Sequence, residues 1–388
     1  QPVAAAGMLF VASVNTHQLS ALDAGSGRVL WTHRSGGRID SPPTYHRGAL
    51  LFGCADGAVT CLRATDGQLA WRFRATPRAR RILAWEQLES AWPVHGSVLL
   101  LRGRACFVAG RSVFLDGGMT LYQLDPATGK VLLERNLTPE TPDHNDLHDK
   151  VNVLNMPAGL PDILASDGAR IYMRSQAFTL DGVRTNLEVG PVDDQVGEQT
   201  HLFARHGFTD DSWWHRDYWI YGQQPQGGPG YWAAGLHAPS GRLMAHDEER
   251  LYVFGRRQEY FRWTTPMEWR TYAVDLPPAP ARPTAEQRKR RRYPWARYAT
   301  RWTNAELPLQ ARGLVKTADR LILAGFEDIL DEEEALRQVA KNPRAVWRDA
   351  EKPWSSPDVP ARIRRQLDAL RGNAGGVLYT LDPDDGTV

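Results

Sequence analysis

Arg111, Arg174 and Arg256 each follow a short, strongly apolar run: Cys106-Phe107-Val108, Ile171-Tyr172-Met173 and Leu251-Tyr252-Val253. Guanidiniums brought to one place clamp a carboxylate, sulfate or phosphate through paired hydrogen bonds. His95 and Asp116 fall on loops of the same kind and complete this candidate anion site. The plainer alternative is that each arginine pairs with a neighbouring loop acid or carbonyl. A second candidate is the aromatic-rich stretch holding Asp211, Trp213, Trp214, His215 and Arg216, continued by Tyr218, Trp219, Tyr221 and Trp232. Exposed, it would stack on a sugar ring or another planar ligand; buried, it is the core of an irregular unit, the usual place of large aromatics. Asp211, His215 and Arg216 are its polar members suited to binding or acid/base work.

Other constellations say less. Asp143-His144-Asn145-Asp146-Leu147-His148-Asp149 has metal-ligand residue types, but Pro142 and the acidic composition favour an open loop, so no metal site is expected. The run Arg288 to Arg292 with Trp295, Tyr298 and Trp302 would touch nucleic acid or an acidic partner only if ordered. A solvated loop is the preferred reading, because 47 basic and 45 acidic side chains leave a net charge of only +2. No nucleic acid partner is expected. The longest apolar run, Val98 to Leu101, is far too short to span a bilayer. Three cysteines make no disulfide framework. If Asp56-Gly57 is a two-residue hairpin turn, Cys54 faces Val59 and Cys61 faces Phe52, so a bridge would need another register. The chain starts at Gln1 with no signal-like segment, so any targeting sequence is expected to have been removed or to lie outside it.

The elements that must position these residues come from an internal repeat. Ala21-Leu22-Asp23-Ala24-Gly25-Ser26-Gly27-Arg28-Val29-Leu30-Trp31 recurs 40 residues later as Cys61 to Trp71, with Gly67 and Trp71 in the places of Gly27 and Trp31. A third copy carries Asp125 and Gly129, and a fourth carries Asp382 and Gly386. Each copy reads as a strand, a tight turn needing positive φ, and a second strand. Upstream of each lies another hairpin ending in an apolar strand, and six such units are countable: around Phe10, Leu51, Phe107, Tyr172, Tyr252 and Ile322. Four short antiparallel strands per unit, repeated, predict an all-β fold, a β-propeller of stacked blades.

The spacing A-x-D-x-x-x-G-x-x-x-W, met in full by Ala21, Asp23, Gly27 and Trp31, resembles the tryptophan-docking PQQ-like repeat of quinoprotein dehydrogenases and of outer-membrane assembly propellers. The resemblance is strong over residues 1 to 135 and the last fourteen; Ala273-x-Asp275 keeps a fragment but runs into Pro277-Pro278. It implies that the indole wedges between blades, and a parent ring of seven or eight blades, with eight favoured. It also implies an extracytoplasmic location. No Gly-His…Trp-Asp signature supports a WD40 or kelch ring instead. The dehydrogenases hold quinone and calcium beside adjacent cysteines; this chain has no Cys-Cys pair, so neither PQQ nor calcium is expected.

Strand alternation sends the connections between strands two and three, and from blade to blade, to one face. The insertions 73–96, 135–161, much of 175–241, 276–311 and 326–375 are assigned to that face, which leaves the other plain. The last insertion is expected to carry two helices, one over 332–341 and one starting at Ser356-Pro357 with Ile363, Leu367 and Leu370 on its packing stripe and Gly372 closing it. The whole chain, 1–388, is thus read as one propeller domain with a helical insertion at about 326–375. The expected function is a non-catalytic binding or scaffold propeller, its decorated face meeting a protein, a glycan or a small anion. The alternatives are a carbohydrate-active enzyme acting on an acidic sugar and a degenerate quinoprotein dehydrogenase.

Overall fold

A computed structural model describes residues 2–84, 86–138, 163–174, 176–185, 200–203, 219–222, 239–256, 269–276, 300–330 and 359–388. The fold is all-β, a β-propeller of seven antiparallel blades, with one helix among the described residues, Val359–Leu370. The chain divides into two compact units, one of residues 1–211 with 222–225 and one of 212–221 with 226–388. In the first unit, blades 1 to 4 are four-stranded and begin at Val3, Thr44, Leu99 and Ala165, and His201–Phe203 follows them. In the second, Trp219 and Ile220 pair with Gly241 and Ser240, blade 6 has four strands from Leu243, and blade 7 pairs Leu309–Lys316, Leu321–Glu327 and Val377–Leu381. Seven blades are one more than the six countable in the sequence. The extra one is built on Trp219–Gly222, inside the aromatic stretch, and its strands of two to four residues are too short to show alternation.

Blade stacking follows from alternation along the second strand. In Ala49–Cys54 of blade 2, Leu50 and Phe52 pack with Phe10, Leu19 and Ala21 of blade 1, while Leu51 packs with Phe107 and Leu124 of blade 3. Both faces of one strand are therefore apolar and buried, unlike a strand with one wet side. The same exchange links blades 3 and 4 through Cys106, Val108, Ile171 and Phe178, and blades 6 and 7 through Tyr252, Phe254, Leu321 and Leu323. Each fully buried side chain of this kind contributes about 1.5–3 kcal/mol.

The repeated turn is held by its own hydrogen bonds. Asp23 N–H donates to Arg28 O (2.8 Å), Gly27 N–H to Asp23 O (2.8 Å), and the Asp23 carboxylate accepts from Ser26 N–H and Oγ–H. The bond from Ser26 holds the Asp23 carboxyl below its ordinary value. Gly67, Gly129 and Gly386 repeat the bond to the residue four back, each at a φ of +70 to +74°. Onto these glycines falls the indole of the preceding blade. Trp31 Nε1–H donates to Ala64 O (2.9 Å), Trp71 Nε1–H to Pro126 O (3.0 Å), and Trp302 Nε1–H to Pro383 O (2.9 Å). A Cβ on Gly67 would stand 2.6 Å from Trp31, and one on Gly129 would stand 2.8 Å from Trp71. At the next step Leu133 occupies the tryptophan place, opposite Gln123, and meets Gly182.

Several expectations need correction. Trp302 is no loop aromatic: it pairs with Ala273 beside a bulge, as Trp31 pairs with Ala21 and Trp71 with Cys61. The segment after Leu276 therefore joins strands three and four of blade 6, so its ends belong to the plain face rather than the decorated one. The turn after Cys54 has three residues, Ala55-Asp56-Gly57, not two. Cys54 consequently opposes Ala58 and Cys61 opposes Leu51. All three cysteines are free and buried, and burial pushes the Cys61 thiol up to about 11 and that of Cys106 to about 12. The helix closes at Gly372 as expected, but its buried residues are Gln366 and Ala369, and Ile363, Leu367 and Leu370 are exposed. Gln366 decides the orientation: its side chain accepts from Ile329 and Leu330 N–H and donates to Glu327 O, tying the helix to the end of a blade 7 strand. The expected helix over 332–341 lies outside the described residues.

Gly48 (φ +85°) has open space where a Cβ would be, whereas Gly67 (φ +70°) faces an indole. Both Gly48→Ala and Gly67→Ala should lose about 1–2 kcal/mol to left-handed backbone strain. Gly67→Ala should lose about 1–3 kcal/mol more to overpacking, read as a lower urea midpoint. Equal losses would show that the indole contact carries no energy.

Candidate functional site

The segments that run into the inner strands of blades 2 and 3, residues 38–41 and 89–98, meet on the decorated face of the first unit. The geometry is fixed below by the inner strands themselves, where Thr44 Oγ1–H donates to Val98 O (2.6 Å) and Ser97 Oγ–H to Pro42 O (3.0 Å). Above them five charged or titratable side chains lock together. Glu89, its side chain 1% exposed, accepts from Arg38 Nη2 at 2.9 Å and from Arg111 Nη2 on its other oxygen. Asp40 receives Arg38 Nε at 3.3 Å and, on its second oxygen, His95 Nδ1 at 2.6 Å. Two guanidiniums and two carboxylates balance without the imidazole.

Such a cluster is costly to desolvate, and its members tolerate burial only because each faces an opposite charge. Three atoms in it, Arg38 Nε, His95 Nε2 and Arg111 Nε, have no hydrogen-bond partner among the described residues, and Arg38 Nε meets Asp40 as an ion pair only. A second, shallower tie lies beside it. Arg80 Nη1 meets Asp116 Oδ1 at 2.6 Å, and Trp92 Nε1–H donates to Asp116 O (3.1 Å), with Asp116 itself at a φ of +56°.

The structure thus brings three of the sequence-derived candidates, His95, Arg111 and Asp116, to one face of one unit. Arg111 and Asp116 are both engaged by loop partners there. Arg174 sits in the turn after Met173, on the same kind of connection, and is buried; its carbonyl accepts from His201 Nε2 (2.7 Å) while that imidazole stacks on Tyr172. Arg256 ends a blade 6 strand in the second unit. Asp211, Trp213, Trp214, His215 and Arg216, and the acidic run 143–149, lie outside the described residues.

Arg38, Asp40 and Glu89 were not legible as site residues. Arg38 and Asp40 precede the inner strand of blade 2 as His95 precedes that of blade 3, and this equivalence of position was the available signal. Glu89 had none, since its partners stand 51 residues before it and 22 after it.

Of the carboxylates on this face, Asp40, Asp56, Glu89 and Asp116 are each held by arginine or histidine. They do not fit as ligands of the calcium that the quinoprotein resemblance implies. Among the described residues, no three of His, Cys, Asp and Glu converge on a place for a metal ion.

Residues 1–177 match the model of a family described as outer membrane protein assembly factor BamB. The dehydrogenase subunit of a quinone alcohol dehydrogenase from Gluconacetobacter polyoxogenes is 27% identical over 141 residues, which is 34% of this chain and 18% of that protein. The chain therefore spans less than a fifth of the curated relative it matches. Among solved structures, BamB from Moraxella catarrhalis superposes with a TM-score of 0.42 at 11% identity, covering 82% of this chain and 76% of that one. A quinohemoprotein alcohol dehydrogenase from Pseudomonas putida HK5 gives 0.46 at 11% identity, covering 84% and 64%. Over residues 1–177, somewhat less than half of its length, the chain is similar to this family of PQQ-like repeats, and its fold is the β-propeller.

Proposed function

We propose that this propeller is a non-catalytic binding scaffold, extracytoplasmic like the proteins its repeat resembles, whose decorated face receives a protein partner. The observation that carries this reading is the closed charge cluster. Its acids and bases are spent on one another, at 2.6–3.3 Å for the contacts around Arg38 and Asp40, and they fix the loops rather than meet a reacting group. Residues so placed hold a face in shape, which lowers the ordering cost of binding. The tryptophan-to-glycine contacts belong to the same reading as the docking device of the repeat, keeping the blades beneath that face in register. Neither quinone nor calcium enters the proposal. Titrating the protein with both should give no uptake, and stoichiometric uptake would revive the degenerate dehydrogenase.

Removing one member of the cluster should cost more than removing an exposed pair. Glu89→Gln leaves Arg38 and Arg111 without their shared counter-charge and should lose about 3–5 kcal/mol. Asp66→Asn, which breaks the exposed pair with Arg63, should lose about 1 kcal/mol or less. Urea unfolding of the two variants compares them; similar losses would mean that the cluster is not structural.

Partner binding is tested with a photo-crosslinking residue in living cells of the source organism. One set of positions is Val14 or Thr16, in the strand-two-to-three turn of blade 1; the control is Arg102, in a plain-face turn. Adducts from the decorated face and none from Arg102 are expected. Equal yields from both faces, or none from either, would contradict a partner-binding face.

A further inference from the structure

The insertion between blades 2 and 3 folds as a two-stranded hairpin, Arg81–Ala84 against Gln87–Ser90, whose two leucines lie on its outer face. Leu83 stands directly opposite Leu88, and both face water, 73% and 62% exposed. The alternate residues point the other way: Ile82 and Ala84 are half-buried there, and Gln87 and Glu89 are its polar anchors. Glu89 is buried in the charge cluster with Arg38 and Arg111, and Gln87 Oε1 lies 2.7 Å from His17 Nε2 of blade 1. Hairpins ordinarily bury their apolar side and wet their polar side. Here one buried ion pair, at Glu89, and one half-buried hydrogen bond, at Gln87, hold the sheet in the orientation that presents its leucines outward.

Neither outer edge of this hairpin pairs with another strand among the described residues, although Ser90 N–H on the edge of the second strand donates to Ala55 O (2.8 Å), which leaves the Arg81–Ala84 edge as the open one; an isolated two-stranded hairpin is marginal by itself. Its surroundings are basic. Arg78, Arg80 and Arg81 are exposed in the strand and the approach to it, against one exposed acid, Glu86, at the turn. Arg80 is partly offset by Asp116. The next loop of the same face adds another exposed leucine, Leu115, beside Asp116.

We infer that the hairpin is the docking element of the decorated face, and that it takes an extended segment of a partner protein in which apolar residues alternate with carboxylates. The open edge supplies main-chain hydrogen bonds to an added strand, Leu83 and Leu88 cover its apolar side chains, and the arginines meet its acids. This inference rests on the binding reading above and names its site and the chemistry of its partner.

The test uses the full chain and a short fluorescent peptide of alternating valine and aspartate, compared with the same peptide carrying lysine for aspartate. The aspartate peptide should bind, with hydrogen-exchange protection centred on 81–90. The Leu83→Ser/Leu88→Ser variant, whose thermal unfolding should match the parent because both side chains are exposed, should bind it about tenfold more weakly or worse. Arg78→Glu/Arg81→Glu should move the preference to the lysine peptide. Equal affinity for both peptides, no binding, or binding unchanged in the serine variant would overturn the inference. So would self-association of the parent that the serine variant abolishes, since the surface would then serve a second copy. Failure here with crosslinked adducts still forming on the decorated face would remove the hairpin and leave the binding reading. Loss of those adducts would instead remove the reading itself.

Discussion

A blade of four short strands has two apolar faces and can hide neither by itself, so this fold depends on each blade being covered by its neighbours. The second strand of blade 2 shows the demand plainly. Leu50 and Phe52 on one side and Leu51 on the other are all fully buried, the first two against blade 1 and the third against blade 3. Stacking apolar sheets fixes their separation but little about their rotation. The indole-to-glycine contact supplies the missing constraint, because Trp31 needs both the flat space above Gly67 and the carbonyl of Ala64. Glycine in these turns therefore answers two requirements at once, a positive φ for the turn and an absent Cβ for the neighbour.

The same logic explains where polar chemistry is tolerated. Below the decorated face the inner strands are tied by Thr44 and Ser97, and the loops above them are tied by charge. Arg38, Asp40, Glu89, His95 and Arg111 come from three separate connections, whose apolar residues Ile39, Val94 and Val113 enter three different cores, so the cluster joins loops that those cores hold separately. Glu89 also belongs to the hairpin of residues 81–90, and by holding it inward exposes Leu83 and Leu88. The shape of the decorated face and the burial of a carboxylate are one arrangement.

What could be read from the sequence was what is local. The turn around Asp23, Ser26 and Gly27 is closed by bonds within six residues, so four copies of it stand out and carry the fold. Trp302 escaped because its partner strand lies across the segment that follows Leu276, and the fixed spacing to Trp31 and Trp71 is lost. One added turn residue shifted the register at Cys54, and one buried glutamine, Gln366, reversed the expected packing face of the helix. Of the candidate site, the position of His95, Arg111 and Asp116 on the decorated face followed from strand direction alone. Their partners were invisible, because a buried ion pair between residues 51 apart leaves no pattern along the chain. The remaining candidates, Asp211 to Arg216, lie outside the described residues.

The central claim is that the three indoles are structural members of the blade stack rather than surface aromatics. Exchange of their ring N–H protons, followed by NMR in deuterated solvent, measures this directly. If Trp31, Trp71 and Trp302 donate to Ala64, Pro126 and Pro383 throughout, their N–H signals should persist as long as the amides of the strands they join. Exchange at the rate of a free indole, with the strand amides still protected, would contradict it.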